Sequence, residues 1–215
     1  VHLEFLDHLE RHFAAHPYLL GGHPSLADYA LMGPLYAHLA RDPHAGSLLY
    51  SRAPRVLRWT EEMNRPSPFS PDHPERDLAF EAGDSIPGTL QPLLALMFET
   101  FGPELAAFAG RFRDFVEAQP DLPSGSPLEP SGYDQPSLGK VEIDYRGVKM
   151  RMVARMFPLW LFQAAKAEYS AMEGEARRNT DALLAATGGA EMMSIALPRA
   201  LTRRENRLVL GGGPI

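Results

Sequence analysis

Three histidines, His8, His12 and His16, recur every four residues, with Glu4 one turn before them, so four potential metal ligands stand along one face if the segment is helical. The run spans three helical turns, too long for one ion to reach all four, and Pro17 unwinds the end that carries His16. The segment His8-Leu9-Glu10-Arg11-His12 also lacks the glutamate directly after the first histidine that a zinc-protease helix needs. We assign no metal and expect these histidines to be solvated on the outer face of the helix. Zero cysteines remove disulfides, thiolate sites and a cysteine nucleophile. There is no G-x-G-x-x-G, phosphate loop or G-x-S-x-G element, and the glycines at 211–213 lack the strand, helix and lysine of a phosphate site. The carboxylates Asp72, Glu75, Asp77, Glu81 and Asp84 lie among prolines, where a solvated charge run is expected rather than an acid and base pair. No residue is assigned to catalysis.

The elements that would position any site are mostly helices. Leu3, Leu6, Leu9 and Phe13 form one helical face, stopped by Pro17 and Gly21-Gly22. A second helix is predicted from Ser25 to about Arg41, buried through Leu31, Leu35 and Leu39, kinked near Gly33 by Pro34 and ended before Asp42-Pro43. A third runs from Pro54 to about Asn64. Residues 65–88, with Pro66, Pro68, Pro71, Pro74 and Pro87, read as a linker. Beyond it, the stripes Leu93, Met97, Phe101 and Leu105, Phe108, Phe112, Phe115 predict two helices meeting at Gly102-Pro103. Residues 119–139 read as a long exposed loop. A hairpin is expected over 141–152, turning at Arg146-Gly147. It pairs Val141 with Met152, Ile143 with Met150 and Tyr145 with Val148 on one face, and Glu142 with Arg151 and Asp144 with Lys149 on the other. Ile143 and Met150 should point into a core. Helix returns from Pro158 to about Thr187, divided at Gly174, and the glycine-rich end should be mobile.

Ser25-Leu26-Ala27-Asp28 carries a capping box: the serine accepts the backbone N–H three residues on and the aspartate reaches back to the N–H of Ser25. With the preceding Leu19-Leu20-Gly21-Gly22 it resembles the capping element of the glutathione S-transferase C-terminal domain. The likeness continues through Tyr36-Ala37-His38-Leu39 and Asp42-Pro43 to Ala53-Pro54-Arg55-Val56 and Trp59, covering about residues 3–64. It implies a mainly α fold: a helical bundle of that type, extended by helices and one β-hairpin. The expected organisation is 1–64 partial C-terminal helical domain, 65–88 linker and 89–215 extension. Ser25 and Asp28 carry over as structural residues. Glutathione is implied as a substrate of the full protein, held by a thioredoxin-like domain outside this chain, with no cofactor bound within it. The chain would supply the side that takes a small hydrophobic electrophile, lined by Tyr29, Met32 and Tyr36 if a pocket exists, although core packing also suits that stripe. By itself the chain should be inactive, and a homodimer is compatible with the resemblance. The alternative is a non-catalytic helical interaction or dimerisation module. A formal charge of −6, from 27 acidic against 21 basic residues mixed along the chain, argues against nucleic acid. No run of roughly 20 uninterrupted apolar residues suggests a membrane span, and a cytoplasmic protein is expected.

Overall fold

The computed structural model describes residues 1–65, 68, 70–128 and 137–215. The fold is mainly α, with two antiparallel hairpins, and the chain divides into Val1–Leu96 and Met97–Ile215.

In the first unit, α1 (His2–Phe13) buries Leu6, Leu9, His12 and Phe13. Leu6 and Leu9 are fully shielded, each contributing about 1.5–3 kcal/mol by burial. The second helix, α2 (Leu26–Pro34), runs into a π-helical turn, Leu35–Leu39. Pro34 has no N–H to give to the carbonyl of Ala30, and the expected kink is met by widening the helix, the Ala40 N–H reaching Leu35 O at 2.8 Å. The segment is less buried than expected: Leu35 is inside, Leu31, Met32 and Leu39 pack partly on the core, while Leu26 and Tyr29 face solvent.

Then comes α3 (Pro43–Arg52), which corrects the reading of Asp42-Pro43 as only a stop. Asp42 Oδ1 accepts the N–H groups of His44 and Ala45, both at 2.9 Å, and Pro43 fills the first helical position, where its missing N–H costs nothing. In α4 (Pro54–Glu62), Val56 and Trp59 face inward, and the indole stacks on Phe13 with centroids 4.7 Å apart. Residues 70–86 are a strap bonded into this unit rather than a free linker, and the boundary between the units falls inside α5 (Gln91–Glu117).

That helix is unbroken at Gly102-Pro103, contrary to the expected helical pair. Beyond the proline, Leu105, Phe108, Ala109 and Phe112 are all buried at the centre of the second unit, so packing on the C-terminal half offsets the lost hydrogen bond. The stretch Gly88–Glu117 has the length and composition to cross a membrane, with mean hydropathy 1.3 in its most apolar window. Glu99 and Glu104 interrupt it.

The first hairpin, β1 (Ser137–Tyr145) with β2 (Val148–Arg155), adopts the register expected from Val141↔Met152 to Tyr145↔Val148. Its charges differ in detail: Lys149 meets Glu142 diagonally at 3.3 Å, while Asp144 Oδ1 accepts the Gly147 N–H at 2.6 Å and braces the turn. Arg146 and Gly147 both have positive φ, a primed turn that suits the strand twist. Ile143 is buried as expected, but Met150 is 41% exposed because the hairpin tip, with Val148, projects into solvent.

Three helices follow, α6 (Phe157–Ala171), α7 (Gly174–Thr187) and α8 (Ala190–Ser194). A second hairpin, β3 (Leu201–Arg204) with β4 (Arg207–Leu210), was not foreseen; it turns at Glu205-Asn206, both left-handed. The glycine-rich end is tied down rather than mobile. Leu197 and Ile215 exchange backbone hydrogen bonds, Ala200 donates to Gly213 O, and the Arg199 guanidinium donates to Leu122 O and Gly211 O. Part of the expected 119–139 loop is likewise fixed, with Leu128 buried and Pro127 bridged to Val209; positions 129–136 lie outside the described residues.

Candidate functional site

At the start of α2 the Ser25 Oγ accepts the Asp28 N–H at 3.4 Å, and Asp28 Oδ2 accepts the Ser25 N–H at 2.8 Å and the Ser25 hydroxyl at 2.6 Å. The other carboxylate oxygen accepts the Leu19 N–H at 2.9 Å. Asp28 is fully buried, so these donors and the positive end of α2 stand in for water around its charge. It thereby ties the helix start to the chain before Gly21-Gly22, a bond that the capping pattern alone does not reveal.

The two glycines admit the strap. Gly21, at φ 122°, bridges Phe80, and the Gly22 N–H donates to Ala79 O at 2.8 Å while the Glu81 N–H donates to Leu20 O at 2.9 Å. A Cβ on Gly22 would stand 1.8 Å from Asp77 O. Backbone therefore lies against backbone, which only glycine allows here.

Side chains add to this clamp. His73 donates to Phe13 O at 3.0 Å, Arg58 pairs with Asp72, and Arg76 bonds both Glu81 and His16 Nδ1, the latter at 3.2 Å. A guanidinium only donates, so His16 accepts there as a neutral ring. His16 stacks on His12 at 5.0 Å. His12 itself is fully buried: Nε2 donates to Tyr18 O at 3.1 Å, and Nδ1 accepts the Thr89 hydroxyl at 2.9 Å. The expectation of solvated histidines fails at His12 because Thr89 and the strap cover that end of α1. Burial holds its pKa down at about 4, outweighing the Tyr18 carbonyl, which favours the charged form. The pKa of His16 is also lowered, first by burial and then by Arg76, with Glu81 opposing. No cluster of three metal-ligating side chains occurs among the described residues.

Between the cap and the strap lies an open groove of about 560 Å³, walled by Leu20, Pro24, Ser25, Leu26 and Tyr29 on one side and Phe80, Glu81, Ser85 and Ile86 on the other. Its volume falls within the usual range for small-molecule sites. Leu26 is 85% exposed, Phe80 57% and Tyr29 56%. Of the three residues expected to line a pocket, Tyr29 lies in this groove. Met32 packs partly on the core of the first unit, and Tyr36 lies beneath Arg41, whose guanidinium carbon is 4.3 Å from the ring centroid. Helical spacing placed the three in one stripe, but the groove follows the first turn of α2 and not its length. Phe80 and Ile86 were missed because the prolines around them read as a linker; the signals were their apolar character and a double glycine that calls for a close backbone neighbour.

No curated protein and no solved structure matches this chain. Residues 3–62 match the family described as glutathione S-transferase, C-terminal domain. The matched segment begins within α1, contains the whole capping element and ends with α4. The match to the glutathione S-transferase C-terminal domain family therefore covers the helices from α1 to α4 and the cap that joins the first two.

Proposed function

We propose that this chain supplies the hydrophobic-ligand side of a glutathione S-transferase-like protein, with glutathione held by a thioredoxin-like domain outside these residues. The observation that carries this reading is the apolar groove beside the capping box, where Leu26, Tyr29 and Phe80 expose large apolar surfaces around a volume suited to a small molecule. The polar side chains that line the groove are Ser25, already bonded to Asp28, Glu81, paired with Arg76, and Ser85 and Tyr29. The chemistry assigned to it is desolvation and orientation of an electrophile, which raises the effective concentration of the reacting carbon near a thiolate supplied from elsewhere. Ser25 and Asp28 set the position of Leu26 and Tyr29 and do not react.

The test is a titration of the chain with a chlorodinitrobenzene, followed by intrinsic fluorescence, together with a conjugation assay in the presence of glutathione. Binding that weakens in Leu26→Ser and Phe80→Ser, without turnover above the uncatalysed rate, supports the proposal. Turnover by the chain alone would place the thiol site within it, and binding indifferent to both substitutions would remove the groove from the reading. A dimer whose formation covers the groove and excludes the electrophile would favour the non-catalytic interaction module.

A further inference from the structure

The groove is apolar in its walls and acidic in its setting. Among its described lining residues Glu81 is the one carboxylate and none is a lysine, arginine or histidine. Its far wall is the end of the strap, Phe80, Glu81, Ser85 and Ile86, and the stretch of strap leading into that wall carries Asp72, Glu75 and Asp77 against the single arginine Arg76. Glu75 and Asp77 are exposed. The unit Val1–Leu96 has twelve acidic residues against seven basic ones, so the imbalance is not reversed nearby in sequence. Arg76 meets Glu81 at Oε1 and Arg58 meets Asp72, which lowers the local excess without cancelling it. Low-dielectric walls beside such a surface concentrate its negative potential.

The aromatic rings act in the same direction. Tyr29 and Phe80 line the groove and each leave more than half of their surface exposed, and the faces of such rings attract cations. An apolar anion entering here loses hydration and meets like charge. A hydrophobic body with a positive nitrogen gains the burial of its body and keeps a favourable field around its charge.

We propose that the groove takes a hydrophobic organic cation, an alkyl or aromatic body bearing a positively charged nitrogen, recognised by the apolar walls, the two aromatic rings and the acidic strap. This rests on the groove being the ligand side described above and names the ligand class it selects. The body packs on Leu20, Leu26 and Ile86, and the nitrogen lies toward Glu81 and the strap. Glutathione, with a net negative charge at neutral pH, is disfavoured in this groove.

The experiment compares two fluorescent probes on the full chain: thioflavin T, a flat hydrophobic cation, and anilinonaphthalene sulfonate, an apolar anion. The expected result is binding of the cation about tenfold tighter, the scale of one screened ion pair plus one cation–π contact. Phe80→Ser should weaken it. Glu75→Gln combined with Asp77→Asn removes two strap charges that hold no wall in place, and should narrow the preference, as should raised salt. Because Glu81→Gln also loosens the Arg76 contact, the strap double variant carries the charge test. Equal affinities for the two probes, both weakened by Phe80→Ser, would overturn the charge selection while leaving the groove as a ligand site. Tighter binding of the anion would overturn it too. Insensitivity of both probes to Phe80→Ser would overturn the groove itself, and this inference with it.

Discussion

Lowering the pH should destabilise the first unit through His12, and the size of the effect follows from its surroundings. The ring is fully buried with both nitrogens engaged in the neutral form, and its pKa falls from 6.5 to about 4. In the unfolded chain the same ring takes a proton near its ordinary value. Above that value both states hold it neutral and it adds no pH dependence. Between 6.5 and about 4 the unfolded state binds a proton that the folded state refuses, so stability falls as pH falls, and the loss levels off below the folded value. At 1.36 kcal/mol per pH unit the full window is worth about 3 kcal/mol. His16 is shifted the same way, whereas the pKa values of Glu62 and Glu104 are raised by burial and oppose the trend as they protonate. The wild-type curve therefore mixes signs, and the comparison with His12→Gln isolates the ring. Urea unfolding of both proteins, from about pH 7 to about pH 4, should show the variant less stable at neutral pH, with the gap closing by about 3 kcal/mol across the window. Parallel curves would refute the reasoning, since a ring that titrates alike folded and unfolded cannot be buried and neutral.

The other predictions concern the cap, the glycines and the first hairpin. Ser25→Ala should cost about 0.5–2 kcal/mol in denaturant unfolding, and Asp28→Ala more, because it also leaves the Leu19 and Ser25 N–H groups without their acceptor. Gly22→Ala should cost about 1–3 kcal/mol and speed hydrogen exchange at Gly22 and Glu81, since its Cβ would collide with Asp77 O. Ile143→Asp should disrupt the second unit by burying an unpaired charge, read by loss of near-ultraviolet circular dichroism. Lys149→Ala should change stability by less than about 1 kcal/mol, since both members of its pair are largely exposed. Asp144→Ala should cost more than Lys149→Ala, because it removes the acceptor for the Gly147 N–H at the turn.

Local chemistry made parts of this structure legible. The capping box could be read because its two partners lie three residues apart and satisfy one another, and the first hairpin because sorting its faces leaves one register with both charge pairs opposed. Gly188 ends α7 in the left-handed conformation for a similarly local reason. What escaped the sequence depends on distant segments. Leu105, Phe108 and Phe112 keep α5 continuous through Pro103 by packing that no local rule contains. The carbonyls of Phe13, Leu20 and Ala79 decide where the strap lies, and proline content suggested the opposite. The second hairpin turns at Glu205-Asn206, where glutamate holds the first left-handed position and only the asparagine favours one, so its local signal is weak.

The candidate site joins both kinds of information. One wall, Leu26 and Tyr29, is placed by the cap and was within reach of the sequence; the other, Phe80 and Ile86, is placed by the strap and was not. Gly21-Gly22 is where the two meet. The family match places this turn and the capping box in the same segment, and the structure adds a physical reason for the turn to precede the cap. Asp28 draws the Leu19 N–H to the start of α2, so the next residues must reverse at once. Gly21 does this at a φ that strains any other residue, and the bare backbone it exposes receives Ala79 and Glu81. A substitution at Gly22 should therefore weaken ligand binding in the groove even though the residue does not line it, while leaving the Ser25–Asp28 hydrogen bonds intact. Loss of the cap's protection from hydrogen exchange along with loss of binding would show that the turn supports the cap instead, and that the strap merely covers it.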